Sequence, residues 1–113
     1  MQKILMNIIC GLLTTMITME SGVFWYGNHK ETYYNLNMNR VVQTAQDRGI
    51  NLDYWERADG VKMFGKFAIV AADYKLHPYG STVETSRGTG IVLDTGEFAK
   101  NASVDTIDIA VTW

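Results

Sequence analysis

A chain of 113 residues, 47% of them hydrophobic and 12% aromatic, can bury one compact core and is too short for two. Ten basic against twelve acidic residues leave a net charge of −2, without the basic excess of a nucleic-acid binder. A single cysteine excludes an intramolecular disulfide and a cysteine-built zinc site, and a single proline excludes a proline-rich linker.

Residues Ile4 to Met19 carry no charge for sixteen positions after Lys3. A basic start followed by an apolar run is the layout of a secretory signal or a short membrane anchor, expected here over residues 1–22. Asn7, Thr14, Thr15 and Thr18 dilute the run, which falls short of the roughly 20 apolar residues of a spanning helix. A buried core helix is the alternative. Cys10 lies within this segment, so the remaining chain is cysteine-free. That suits a domain that works outside the cytoplasm without disulfides. Secretion or residence in the cell envelope is therefore the expectation, with membrane anchoring by the same segment left open.

Residues 23–30 mix aromatic and polar side chains and are expected to be a tether, with the folded domain over 31–113. Glu31 to Leu36 (ETYYNL) favours a strand. Asn39 is placed to cap a helix over Arg40 to Arg48, with Val41, Val42 and Ala45 on one face and Gly49 ending it. Residues 50–66 are turn-rich, Asp59-Gly60 being the clearest signal. Strands are expected over Phe67 to Ala72, Ser81 to Thr85, Gly90 to Leu93 and Thr106 to Trp113. In the last, Ile107, Ile109 and Val111 alternate with Asp108, Ala110 and Thr112. Short strands, glycine-bearing turns and one helix indicate a small, mostly-β barrel. A mobile first strand that exchanges between copies would make a homodimer.

Three aspartates stand at informative positions: Asp73 after FAIVAA, Asp94 after GIVL and Asp108 inside the last strand. A carboxyl beside a packed strand is partly desolvated, and clustered carboxyls raise one another, which prepares a general acid near neutral pH. Asp73 and Asp94 also suit ordinary turns. Asp108 is different, because strands disfavour aspartate, unless it faces solvent on an edge. His29 and His77 are far apart in sequence, and no metal or cofactor is expected. Asn101-Ala102-Ser103 is a formal glycosylation sequon.

Ile91-Val92-Leu93-Asp94-Thr95-Gly96 resembles the aspartic protease signature. Only nineteen residues follow Asp94, however, and Glu97 stands where that family has Ser or Ala. A longer match is to the three-aspartate (3D) domain of cell-wall-acting proteins, related to the membrane-bound lytic transglycosylase A family. Val70-Ala71-Ala72-Asp73, His77-Pro78-Tyr79-Gly80-Ser81, Gly88-Thr89-Gly90-Ile91-Val92-Leu93-Asp94-Thr95-Gly96 and Ile107-Asp108-Ile109 follow that family's order. Glu31-Thr32-Tyr33-Tyr34 resembles its opening strand. The chain departs from it at Gly96-Glu97-Phe98-Ala99-Lys100-Asn101 and in a longer loop that makes Asp105 a rival to Asp108. The family's Thr-Ala-Thr-Gly segment is also missing.

The resemblance implies a double-psi β-barrel and a lytic transglycosylase acting on peptidoglycan glycan strands without metal or cofactor. One aspartate would protonate the bond between N-acetylmuramic acid and N-acetylglucosamine, then accept the C6 hydroxyl proton as a 1,6-anhydro sugar forms. Asp94 would be first choice for this acid and base, with Asp73 and Asp108 tuning it. Thr32, Tyr33 and Tyr34 would line the glycan groove, or else pack in the core, and Thr95 and Gly96 would contact substrate. A non-catalytic glycan-binding module is the alternative.

Overall fold

A computed structural model of the chain describes residues 24–97 and 104–113. The N-terminal apolar segment, with Cys10, and the Asn101 sequon lie outside the described residues. The elements run β1 (Phe24–Tyr26), β2 (His29–Tyr34), α1 (Asn39–Asp47), β3 (Tyr54–Glu56), β4 (Lys62–Phe64), β5 (Phe67–Ala71), β6 (Thr82–Thr85), β7 (Gly88–Asp94) and β8 (Thr106–Ala110). The fold is mostly β with one short helix, as composition and turn spacing indicate.

Local chemistry accounts for the differences from expectation. Residues 24–30 are not a tether. They form the β1–β2 hairpin, with Tyr26 opposite His29 across a two-residue turn. Gly27 takes φ 58° there, the left-handed backbone such turns require. Phe24 is buried and stacks on Tyr33 at 5.8 Å between ring centroids. The helix begins at Asn39 itself, with Met38 at the N-cap position, and the Asn37 side chain just before it accepts the Asn39 N–H at 2.8 Å. The turn-rich stretch holds β3 and β4, an antiparallel pair joined through Asp59-Gly60. These strands are only three residues long, too short for period-two alternation to show.

Strands β5 and β8 organise the sheet. One edge of β5 pairs with β7 in parallel; its other neighbours, both antiparallel, are β4 near Phe67 and β8 near Ala71. β8 then pairs in parallel with β2, which pairs with β1. All five residues of β8 are buried. Ile107, Ile109 and Val111 pack with Val70 and Val92 on one face, and Ala110 packs with Ile69, Leu93 and helix residue Ala45 on the other. Each fully buried Val or Ile contributes about 1.5–3 kcal/mol relative to exposure. Gly90 allows close approach here, since a Cβ on it would lie 2.9 Å from Val70 Cγ1.

Glu31 is wholly buried, yet its carboxylate makes three hydrogen bonds, with two residues. His29 Nε2 is hydrogen-bonded to it at 2.7 Å, and Ser86 donates both its N–H (3.0 Å) and its hydroxyl (2.6 Å). These bonds tie β2 to the β6–β7 turn and offset the desolvation of the charge.

Candidate functional site

Strand register decides which side chains meet. Ala71 on β5 pairs with Asp108 across β8 and with Asp94 across β7. A register shift between Val70 and Ala71 brings Asp94, rather than Leu93, opposite Ala71. The two aspartates therefore flank one small residue, about 10 Å apart at Cα over two strand spacings. On the far side of β8, Thr32 pairs with Asp108 and Tyr34 with Ala110. Three strands, β2, β8 and β7, thus contribute Thr32, Tyr34, Asp108 and Asp94.

The hydrogen bonds follow this register. Thr32 Oγ1 donates to Asp108 Oδ1 at 2.7 Å. The Tyr34 hydroxyl donates to Asp94 Oδ2 at 3.3 Å, and the Thr95 N–H donates to Asp94 Oδ1 at 2.9 Å. Asp108 is only 9% exposed. Burial pushes its carboxyl up to about 6 against the Thr32 hydrogen bond that favours the charge, with a smaller further push from Asp94. Burial and the charges of Asp94 and Asp108 also raise the Tyr34 hydroxyl, which stays protonated at any physiological pH.

Asp73 stands to one side. Its Oδ1 accepts the Lys75 N–H at 2.9 Å, and its carbonyl accepts from Leu76 and His77, so it acts as a turn former. It shares a small cavity with Tyr74, Lys75 and Thr95, which places it beside the residue that follows Asp94. Gly96 is half-buried just past Thr95. Asp105, the rival third aspartate, lies apart from the pair and bonds His77 at 2.7 Å. Tyr33 packs against the core and against Trp113, at 4.8 Å between ring centroids.

Two further residues escape a reading of sequence alone. Tyr74 and Tyr79 stand edge to face at 5.9 Å, and burial followed by the Asp94 charge raises the Tyr74 hydroxyl. The Tyr79 hydroxyl and Thr95 Oγ1 are buried without a hydrogen-bond partner. Their only local signal is their place after the Asp73 and Asp94 strand ends.

Asp94 opens onto a cavity of about 520 Å³ lined also by Leu36, Asn37, Asn39, Arg40 and Val41. Asp94 thus lies where the loop before α1 meets the sheet. Among the described residues, no group of three or more His, Cys, Asp or Glu side chains gathers to hold a metal ion. Comparison with protein families, with curated proteins and with solved structures finds no match to this chain.

Proposed function

We propose that the chain is a peptidoglycan lytic transglycosylase, with Asp108 and Asp94 as its working carboxyls. The observation that carries this reading is the pair itself. Two aspartates flank Ala71, and the more buried one is held near 6. A carboxyl in a largely apolar setting beside a second, hydrogen-bonded carboxylate is the division of labour by which proteins cleave glycosidic bonds.

In this reading Asp108, rather than Asp94, carries the proton at the start. It protonates the oxygen between N-acetylmuramic acid and N-acetylglucosamine, and the bond from that oxygen to the muramoyl C1 breaks. The Asp94 carboxylate, oriented by Tyr34 and Thr95, stabilises the positive charge that develops on the sugar. Asp108, now a carboxylate, takes the proton of the C6 hydroxyl as that oxygen bonds to C1. The product is a 1,6-anhydro sugar, and no water is consumed. Asp73 serves through its turn, by fixing the segment beside Thr95.

The fold lends support. The two parallel pairings, β2–β8 and β5–β7, joined by antiparallel β5–β8, are compatible with the strand pairing of a double-psi β-barrel of the three-aspartate type, although the sheet is not closed among the described residues. The basic and apolar N-terminal segment fits export to the cell envelope, where peptidoglycan is the substrate. An aspartic protease would need Asp94 to face its own copy across a dimer. Here its neighbouring carboxyl is Asp108 of the same chain.

Release of soluble fragments from purified cell wall tests the assignment. Asp108→Asn and Asp94→Asn are each expected to abolish release. The wild-type rate should fall as pH rises through about 6, as Asp108 loses its proton. Full release by folded Asp108→Asn would remove Asp108 from the acid role. Wall binding without release by the wild type would favour a glycan-binding module.

A further inference from the structure

A second cavity, of about 420 Å³, adjoins the one at Asp94, and the two share Asn37 and Asn39. Both fall within the range of small-ligand sites, about 300–1,000 Å³. Together they form a trough from Asp94, across the start of α1, to the β3–β4 hairpin.

The second cavity has an unusual chemistry. Four side-chain amides line it, those of Asn37, Asn39, Gln43 and Gln46. The Gln43 and Gln46 amide nitrogens donate to Asp47 Oδ1 (3.0 Å) and to the Leu52 carbonyl (3.2 Å), which leaves both amide oxygens as acceptors. Asn37 uses its oxygen on the Asn39 N–H, which leaves its NH₂ as a donor. Met38 and Val42 add an apolar patch. The one acid and one base present, Glu56 and Lys62, are both occupied. Glu56 accepts the Tyr54 hydroxyl at 2.8 Å, and the nearly buried Lys62 ammonium donates to Asn35 Oδ1 (2.8 Å) and to the Leu36 carbonyl (2.6 Å). The first cavity also holds one base and one acid, Arg40 and Asp94, among its lining.

A trough with balanced charge, mixed amide donors and acceptors and a small apolar patch fits a neutral ligand that is polar and carries methyl groups. From this we infer that the amide-lined cavity is a distal subsite for an N-acetylated sugar of the same strand, read through its acetamido group. The inference rests on the glycan-cleaving reading above and extends it to substrate length and acetylation. Peptide stems are acidic and would call for an excess of basic side chains, which this cavity lacks.

The test uses the full chain carrying Asp108→Asn, titrated with β-1,4-linked N-acetylglucosamine dimer and tetramer and with a de-N-acetylated tetramer. The N-acetylated tetramer should bind about tenfold more tightly than the dimer, as one or two further neutral hydrogen bonds allow. It should also shift the backbone NMR signals of Val42, Gln43 and Tyr54. The de-N-acetylated tetramer should lose that advantage. Gln43→Ala, at an exposed position that lines only this second cavity, should weaken the tetramer severalfold, as loss of one neutral hydrogen bond allows, leave the dimer unchanged and preserve the melting temperature. Equal affinity for dimer and tetramer, or no effect of Gln43→Ala, would overturn the subsite. So would shifts at the cavity with a free stem peptide and none with sugars. The two readings can fail separately. Tetramer binding at the cavity without fragment release by the wild type sinks only the lytic activity, and release with a silent cavity sinks only the subsite.

Discussion

Replacing Asp108 by asparagine should make the protein more stable at neutral pH while it removes the proposed activity. The folded chain holds this carboxyl at about 6, against an ordinary 3.8. Between those values the folded chain binds a proton that the unfolded chain has released. Wild-type stability therefore falls as pH rises from about 4 to about 6, and the penalty stays in full above that range. The whole difference corresponds to about 3 kcal/mol, an upper bound. Water that reaches the open edge of the carboxyl reduces it to about 1–2 kcal/mol, or roughly 5–15 °C in Tm for a domain of this size. Asparagine keeps an oxygen to accept the Thr32 hydroxyl and carries no charge, so it escapes the penalty. Urea unfolding of wild type and Asp108→Asn, followed by tryptophan fluorescence from pH 4 to pH 8, measures this directly. The stability difference should be near zero at pH 4 and reach a plateau in favour of the variant above pH 6. A difference that does not change with pH, or a variant less stable at pH 8, would refute the account of a buried, desolvated carboxyl.

Substitutions at three other positions probe the frame around the site. Glu31→Ala would strand the partly buried Ser86 donors and the buried His29, and should cost about 3–5 kcal/mol in denaturant melts, with Glu31→Gln costing less. Asp59, held at about 2 chiefly by its paired bonds to Arg57, stabilises the fold only above about pH 4, and this is lost as pH falls toward 2. Because the ion pair is about one-third exposed, Asp59→Asn should cost no more than about 1 kcal/mol at pH 7, and less in high salt. Gly90→Ala forces a methyl group against Val70 and should lower stability by about 1–3 kcal/mol without altering the pH dependence.

The parts of the fold that were legible in the sequence are those with a repeating pattern. Alternation from Ile107 to Val111 and the apolar run from Phe67 mark β8 and β5, because both faces of these strands are buried. The hairpin at 24–34 also has its signal, Gly27-Asn28 between aromatic runs, but the polar residues around it resemble a linker until β8 supplies a partner strand. β3 and β4 are too short for any period and are fixed by their pairing with each other and with β5.

At the site, the mid-strand position of Asp108 is the sequence feature that carried most, since an aspartate inside an apolar strand needs a reason to be there. What the sequence could not convey is the register. A single shift beside Ala71 puts Asp94 level with Asp108, and the turn after β5 leaves Asp73 aside. Spacing along the chain treats the three aspartates alike. Burial separates them, and it singles out Asp108 over Asp94, the residue that its motif favours.

The central claim concerns how the glycan bond is broken, and the chemical form of the new sugar end reports it most directly. Purified peptidoglycan digested with the full chain and analysed by mass spectrometry should yield muropeptides ending in 1,6-anhydro-N-acetylmuramic acid, absent when Asp108→Asn or Asp94→Asn is used. Ordinary reducing ends, heavier by one water, would show hydrolysis and contradict the proposed use of the C6 hydroxyl. Intact wall after complete incubation would contradict the catalytic role of the pair altogether.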